Sequence, residues 1–314
     1  MKYVELGRSG IKVSNIGLGI WQATKDWKGN DESIRKAIIR SHELGVNLID
    51  TAEAYGSGHS EEVLGRALKE LRRDEIVIAT KVSGEHLRFD ELQRACRASA
   101  ARLGVSEIDV YQVHWPNPWA QIPLKETMRA LQKLHTEGRI RAIGVSNFAV
   151  RDLEEARSLL SKTDIASNQV RYNMLQRDVE KEVIPYCKKE GISVMAYSPL
   201  AQGALTGKYN TSKTPKGDTR DSNPLFTPEN LAQIERFISS ITQIAQKHGN
   251  TVAQIALSWL TFNPIVIPIP GAKDVAQAKE NVGAANIQLT REELSRINAA
   301  LRKVRIDYFS RGWP

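Results

Sequence analysis

Only two of the 314 residues are cysteine, Cys96 and Cys187, and each sits inside an apparent helix. That excludes a disulfide framework and points to a reducing compartment. Neither belongs to a metal-spaced cluster, so no metal site is expected. Long apolar runs are missing as well. No stretch approaches the roughly 20 residues that cross a bilayer, and Met1 to Arg8 holds no apolar segment of signal-peptide length. A soluble, cytoplasmic protein with no membrane partner is expected. Charge of one sign is nowhere gathered. The 44 Lys and Arg against 36 Asp and Glu give a net +8, but the basic residues are interleaved with acids, as in Lys188-Lys189-Glu190. A nucleic-acid footprint would cluster on one face, so no nucleic-acid partner is expected. A single basic pocket for a phosphorylated small molecule stays open. Three chemical signatures are also lacking. There is no Gly-x-Ser-x-Gly elbow, no pair of histidines on one helix, and no complete Gly-x-Gly-x-x-Gly. Gly17-Leu18-Gly19-Ile20-Trp21-Gln22 stops short, and Gly56-Ser57-Gly58 fails too.

What is present is ordinary globular composition, 41% hydrophobic and 25% charged, arranged in one repeating pattern. Brief, nearly continuous apolar runs predict parallel strands buried on both faces. They are Ile16-Gly19, Asn47-Asp50, Ile76-Thr80, Ile108-His114, Ala142-Val145, Ala166-Val170, Ser193-Tyr197 and Ile265-Ile267. Amphipathic stretches lie between them. Ile34, Ala37, Ile38 and Ser41 trace one stripe, and Leu92, Ala95, Ser99 and Leu103 another. Thr227 followed by Pro228 opens a further helix, and Thr290 to Glu293 has capping-box spacing. Eight strands, each followed by helix, make an α/β chain of (β/α)8 count, a TIM barrel. Tyr3-Val13 reads as an N-terminal β-hairpin closing the barrel's bottom. No linker divides the chain, so residues 1–314 read as one domain. Long loops at the C-terminal face are expected at Trp115 to Pro123 and Gln202 to Leu225. Periodicity alone also admits an open, doubly wound sheet.

In a barrel the chemistry belongs at the carboxyl ends of the strands. Four expected strand ends carry residues that are costly to bury: Asp50 with Tyr55 beyond it, Lys81, His114, and Ser146-Asn147. Each alone has a structural explanation. Asp50 could cap a turn, Tyr55 could be half-buried, Lys81 could snorkel to solvent, and His114 could donate to a carbonyl. Converging on one mouth, they form a proton-transfer set. A tyrosine, with pKa about 10, is a poor acid at neutral pH. A cation beside it stabilises phenolate. Lys81 can supply that charge, Asp50 can hold Lys81, and a neutral His114 can orient a carbonyl oxygen.

Electrons must then come from elsewhere. Barrels offer an anion site after the seventh and eighth strands. Pro268 to Lys273 precedes a helix running to Asn281, whose free amides with Lys273 could bind phosphate. Taken alone, that stretch reads as a plain Pro-Gly turn and helix cap. Gln277, Glu280 and Asn281 recur about one turn apart and could face an adenosine. Tyr197 to Gly203 could lie along a dinucleotide, and Ser146, Asn147 and Gln169 could bind a carboxamide.

Taken together these residues resemble the aldo-keto reductase superfamily across nearly the whole chain. The resemblance is carried by Asp50-Thr51-Ala52-Glu53-Ala54-Tyr55-Gly56, Lys81, His114-Trp115-Pro116, Gly144-Val145-Ser146-Asn147-Phe148, Asn168-Gln169, Ala196-Tyr197-Ser198-Pro199-Leu200, and Ile269-Pro270-Gly271 through Glu280-Asn281. It implies a (β/α)8 barrel that reduces aldehydes or ketones with NADP(H). Tyr55 would be the proton donor, tuned by Lys81 and Asp50, with His114 orienting the carbonyl. Ser146, Asn147 and Gln169 would hold the nicotinamide amide and Tyr197 would stack on its ring. Ser198, Leu200, Gln202 and Lys208 would touch the pyrophosphate. Lys273, Gln277, Glu280 and Asn281 would take the 2′-phosphate end. Ile20, Trp21, Asp50, Pro199 and Gly271 complete the implied cofactor set. Gly271-Ala272 and Gln277 stand where many members carry Lys-Ser and Arg, and are more similar to the microbial branch and the potassium-channel β subunits. NADP(H) is therefore preferred, with NAD(H) open.

Trp21 and Trp115, with Tyr55 and His114, are expected to wall an apolar pocket for a small carbonyl substrate. Trp119, Tyr308, Phe309 and Trp313 are further candidates. Two rival readings share the residues: an NADPH-binding, redox-sensing subunit with slow turnover, and a lyase or isomerase using Lys81 as a Schiff-base amine. A monomer and a homo-oligomer are equally compatible with the sequence.

Overall fold

The strands form where β-branched runs can be buried on both faces, and they curl into a closed barrel. The computed structural model describes residues 1–27, 29–116 and 121–308. An antiparallel hairpin, β1 (Tyr3–Glu5) and β2 (Lys12–Ser14), comes first. The barrel strands follow: β3 (Leu18–Gly19), β4 (Leu48–Asp50), β5 (Val77–Val82), β6 (Ile108–Val113), β7 (Ile140–Ser146), β8 (Ile165–Arg171), β9 (Ser193–Tyr197) and β10 (Val266–Pro268). They pair in parallel in chain order. The seam closes because Gly17 N–H donates to Pro268 O at 2.9 Å and Gly19 N–H to Pro270 O at 3.0 Å. A Cβ on Gly17 would lie 2.9 Å from the Ile269 side chain, and one on Gly19 3.0 Å from Ile269 O. The two glycines of the failed fingerprint therefore admit the last turn of the barrel.

Between the strands run α1 (Asp31–Glu43), α2 (His59–Leu68), α3 (Phe89–Leu103), α4 (Leu124–Thr136), α5 (Val150–Ser158) and α6 (Val183–Glu190). The expected stripes of α1 and α3 are the buried ones. The chain between β9 and β10 holds two helices, α7 (Pro228–Lys247) and α8 (Val252–Thr261). Of these, α8 packs on β10 and on α9 (Val275–Gly283), while α7 packs on α8 and on α10 (Arg291–Leu301), outside the ring. Thr227 caps α7 with Pro228 in its first turn, and Thr290 and Glu293 cap α10 reciprocally. Among the described residues no helix is long and apolar enough to cross a membrane.

The hairpin plugs the amino-terminal end of the barrel. Leu6, Ile11 and Val13 share one buried cluster with the inward residues Leu48, Val77, Ala79, Val110, Ala142, Met195 and Ile267. Gly7 N–H donates to Ser193 Oγ at 2.8 Å. The left-handed φ of Gly7, +60°, and its approach to Ala166 O, 2.3 Å from where a Cβ would sit, require glycine there.

Candidate active site

Side chains alternate across a strand, so the row that starts apolar at the bottom of the barrel continues toward its top. Two residues beyond Leu48 the row reaches Asp50; beyond Ala79, Lys81; beyond Val110, Gln112 and then His114. In β7, Ala142 gives way to Gly144 and Ser146. A register shift against β7 passes over Ala166 in β8, so that Ser167 and Gln169 continue the inward row. Gly144 is small for a reason: a Cβ there would lie 2.6 Å from Gln112 Cγ.

Lys81 is fully buried. Its Nζ donates to Asp50 Oδ2 at 2.6 Å, to Thr51 O at 2.8 Å and to Tyr55 Oη at 3.2 Å. The other Asp50 oxygen accepts from Gln169 Nε2 at 2.8 Å and Gln112 Nε2 at 3.1 Å. Tyr55 reaches the group from the turn after β4. That turn runs through positive φ at Gly56, Ser57 and Gly58 and is tied down by Ser60, whose Oγ accepts from Thr51 and donates to Ile20 O. The His114 ring stands edge-on to Tyr55, with centroids 5.6 Å apart. The four candidate residues thus meet in one place.

Burial pushes the Tyr55 phenol above its ordinary pKa, and the Lys81 charge pulls against it without prevailing. The lowering expected from Lys81 is therefore outweighed by desolvation of the phenolate, which leaves the neutral, proton-donating form. Burial alone would favour neutral Lys81, but the charge of Asp50 and the hydrogen bonds of Asp50 and Tyr55 drive its pKa up. An ammonium held this way is a poor Schiff-base nucleophile, which argues against the lyase reading. Burial, aided by the Lys81 charge, lowers the His114 pKa to about 3, so its imidazole is neutral at physiological pH.

A cleft with about 1140 Å³ of empty volume runs from Asp50 and Tyr55 past the β9 end to α9. Of the expected cofactor residues it is lined by Trp21, Asp50 and Gln169; by Tyr197, Ser198, Pro199, Leu200, Gln202 and Lys208; and by Gly271, Lys273, Gln277, Glu280 and Asn281. Ser146 and Asn147 are not in its lining but bond to residues that are. Ser146 Oγ donates to Gln169 O at 2.9 Å, and Asn147 Oδ1 accepts from Tyr197 Oη at 3.0 Å. Ile20 is different. Its side chain is in the core, and its backbone N–H donates to Asp50 O at 3.0 Å. Trp115, 51% exposed, and His114 are outside the cleft lining. Trp119, Phe309 and Trp313 lie outside the described residues; Tyr308 donates to Leu175 O, away from the cleft lining.

The anion site after β10 needs correction. The helix begins at Val275, and its N-terminal amides are not all free. Asp274 Oδ1 accepts from Gln277 N–H at 2.8 Å, and Gln277 Oε1 accepts from Lys273 N–H at 3.0 Å. Side chains already satisfy these donors, so the positive charge here comes from side chains more than from amides.

The sequence reading missed Gln22, Trp27, Tyr209 and Arg220, all in the cleft lining. Arg220 pairs with Asp218 at 2.6 Å and stacks on Tyr209 and Trp27. Lys273 Nζ donates to Trp27 O at 2.9 Å. These residues sit in irregular loops, where no periodicity marks a face. Gln112 could have been found, because it shares the parity of His114 on a buried strand. Two buried polar atoms of the cleft residues, Gln22 Oε1 and Trp27 Nε1, have no hydrogen-bond partner among the described residues. Native interiors rarely leave such atoms unmet. The Trp27 indole N–H and the cations Lys208, Arg220 and Lys273 along an elongated cleft suit an anionic dinucleotide, while the Gln22 oxygen can only take a donor group on it. Among the described residues no group of His, Cys, Asp and Glu could hold a metal ion.

Comparison with known proteins adds independent findings. Residues 15–302 match the model of the aldo/keto reductase family. The chain is 39% identical to an uncharacterized oxidoreductase of Mycobacterium bovis, over 97% of this chain and 94% of that protein. It is 34% identical to an NADH-specific methylglyoxal reductase of Escherichia coli, over 92% of this chain and 95% of that one. The crystal structure of an aldo/keto reductase from Klebsiella pneumoniae in complex with NADP and acetate is similar, with a TM-score of 0.78 and 32% identity, covering 98% of this chain and 99% of that one.

Proposed function

The chain belongs to the aldo/keto reductase family, and from that premise we propose that it reduces aldehydes or ketones to alcohols with NADP(H). The observation that carries this reading is the Lys81 ammonium bridging Asp50 and the Tyr55 phenol at one end of the cleft. When bound, the coenzyme supplies a hydride to the carbonyl carbon. Tyr55 Oη then gives its proton to the carbonyl oxygen as negative charge develops there. Lys81, kept protonated by Asp50, stabilises the phenolate left behind. Neutral His114 donates a hydrogen bond that orients the same oxygen and carries no charge to compete with the proton transfer. Trp21, 6.1 Å from Tyr55 between ring centroids, shields one side of the reacting group from water. Gln169, Ser146 and Asn147 would hold the nicotinamide end, Tyr197 would face its ring, and Ser198 to Gln202 the pyrophosphate.

Lys273, at the end of the cleft expected to take the 2′-phosphate, supports NADP(H) over NAD(H), because that phosphate adds charge that a cation there meets. The E. coli relative's NADH specificity makes this a comparison to measure. We expect kcat/KM at least tenfold higher with NADPH than with NADH, and equal efficiencies would overturn the preference. NADPH consumption with a panel of aromatic and aliphatic aldehydes tests the reaction itself. Turnover with several of them supports the reading. Tight NADPH binding with negligible consumption across the panel would replace it with a cofactor-sensing subunit.

A further inference from the structure

Asp50 does two opposed things to the Tyr55 phenol. Burial raises the phenol pKa most, the Lys81 charge lowers it, and the Asp50 charge raises it again. Yet the same Asp50 charge is what keeps the buried Lys81 protonated. The carboxylate is therefore needed for its hold on Lys81 and harmful in its effect on Tyr55. Its two oxygens are used differently. Oδ2 accepts from Lys81 at 2.6 Å, while Oδ1 accepts from two amides, Gln169 Nε2 at 2.8 Å and Gln112 Nε2 at 3.1 Å. A carboxylate only accepts, so both glutamines must turn their NH2 groups to it. Gln112 Oε1 in turn accepts from Gln169 Nε2 at 3.4 Å, which fixes the Gln112 amide in that orientation. The glutamines differ in one respect. Gln169 lines the cleft, so a bound coenzyme faces its amide. Gln112 is fully buried and outside the lining, in register with Lys81 of β5 and Gly144 of β7. Its bond to Asp50 does not depend on what fills the cleft.

We propose that Gln112 is a positioning residue of the proton-transfer group: its amide holds the Asp50 carboxylate and offsets the part of its charge that opposes the phenolate, leaving Tyr55 under the Lys81 cation. The inference rests on the reductase reading above and adds to it a residue that touches neither substrate nor coenzyme. In a low-dielectric interior the positive end of an amide dipole counts for more than it does in water. Without it the Asp50 charge acts on the phenol less opposed, and the phenolate is harder to form. A Gln112 that only filled space would have no such effect. The surroundings make Tyr55 the group that titrates in the alkaline range. His114, after β6, has its pKa lowered to about 3 and is neutral there. Burial pushes Tyr197 of β9 above its ordinary value, against the charge of Arg171 at the end of β8. Glu53, on the same turn as Tyr55, is directed to Ser83 N–H and His86. Trp21, Gly144, Ser146, Ser167 and Gln169 do not titrate.

The test is the pH profile of oxidation, with NADP⁺, of the alcohol that corresponds to the best aldehyde of the panel. It is measured in the wild type, Gln112→Met and Gln112→Leu, each also in the Tyr55→Phe background. Both substitutions remove the donor but fill its space differently. We expect both to move the alkaline climb to higher pH by the same amount. The rate at a fixed pH on that limb should fall about threefold to tenfold, the net worth of one hydrogen bond. In aldehyde reduction the loss should appear in kcat, with KM within threefold. In the Tyr55→Phe background the residual profile should not move, as an effect exerted through the phenol requires. The Kd for NADPH, read by fluorescence titration, should stay within threefold, because Gln112 is outside the cleft lining. A climb at the wild-type pH in both variants, or an equal shift in the Tyr55→Phe background, overturns the inference. So does a shift that differs between the two variants in step with their unfolding free energies in urea, since packing then explains it, and so does a larger change in Kd. All of these leave the reductase reading standing. A wild type that reduces no aldehyde of the panel overturns that reading, and the inference with it.

Discussion

The lower and upper halves of the barrel interior are built from the same strands and the same inward-facing rows, yet their contents are opposite. Below, Leu48, Val77, Ala79, Val110, Ala142 and Met195 pack against the hairpin's Leu6, Ile11 and Val13. Above, one or two alternations further along the same strands, stand Asp50, Lys81, Gln112, Ser146 and Gln169, all buried. Each large apolar side chain below contributes on the order of 1.5–3 kcal/mol by leaving water. The buried ion pair above contributes little net stability, because desolvating both charges offsets their attraction. The difference teaches a division of labour: the lower rows hold the barrel closed and the upper rows set proton positions. An ion pair that adds little to folding, placed under a phenol, is explained by what it does to that phenol.

The comparison can be broken or sharpened by substitution. The largest effect belongs to Tyr55→Phe, which removes the donor and leaves the ring. Turnover should fall by about 10²–10⁴, while the Kd for NADPH, read by fluorescence titration, changes less than threefold. A loss of turnover below tenfold would contradict the assigned role. Lys81→Met comes next. It strands Asp50 in the interior and should lower unfolding free energy by about 3–5 kcal/mol, measured by urea denaturation, with turnover reduced as well. Leu48→Ala, in the lower half, should cost about 2–5 kcal/mol but leave kcat/KM of the folded enzyme within threefold. A large loss of kcat/KM there would erase the division between the halves.

A smaller effect concerns pH. His114 has its folded pKa lowered to about 3, against an ordinary value near 6.5. The unfolded chain therefore binds a proton that the native protein refuses. The stabilisation is fully present above about pH 6.5 and is lost as pH falls toward 3. Between those limits it adds at most about 1.4 kcal/mol per pH unit to the slope. His114→Gln should flatten the acid limb of stability against pH, as read from urea midpoints; an unchanged slope would mean the histidine is not held neutral. The smallest effect is far from both halves. Thr290→Ala removes the α10 cap, whose hydroxyl accepts from Glu293 N–H at 3.1 Å, and should cost about 1 kcal/mol with no change in activity.

Much of this arrangement was legible before the fold was known. The strands sit within a few residues of the apolar runs because a strand buried on both faces needs an unbroken run. Asp50, Lys81 and His114 were legible because polar residues at the ends of such runs are costly to bury. The strand ends were less exact. β5 extends through Lys81 to Val82, and β7 starts at Ile140 and ends at Ser146, since pairing with neighbours outlasts local composition. The cofactor cleft was half legible. Tyr197 to Gln202 and Gly271 to Asn281 follow strands and could be placed, whereas Trp27, Tyr209 and Arg220 come from loops with no period.

The most direct test of the account is the pH profile of alcohol oxidation with NADP⁺, the reverse reaction, in the wild type and in Tyr55→Phe. Oxidation needs the phenolate as base, so the wild-type rate should climb into the alkaline range as the buried phenol ionises, and the residual rate of Tyr55→Phe should be flat. A Tyr55→Phe profile with the same alkaline climb would show that another group moves the proton.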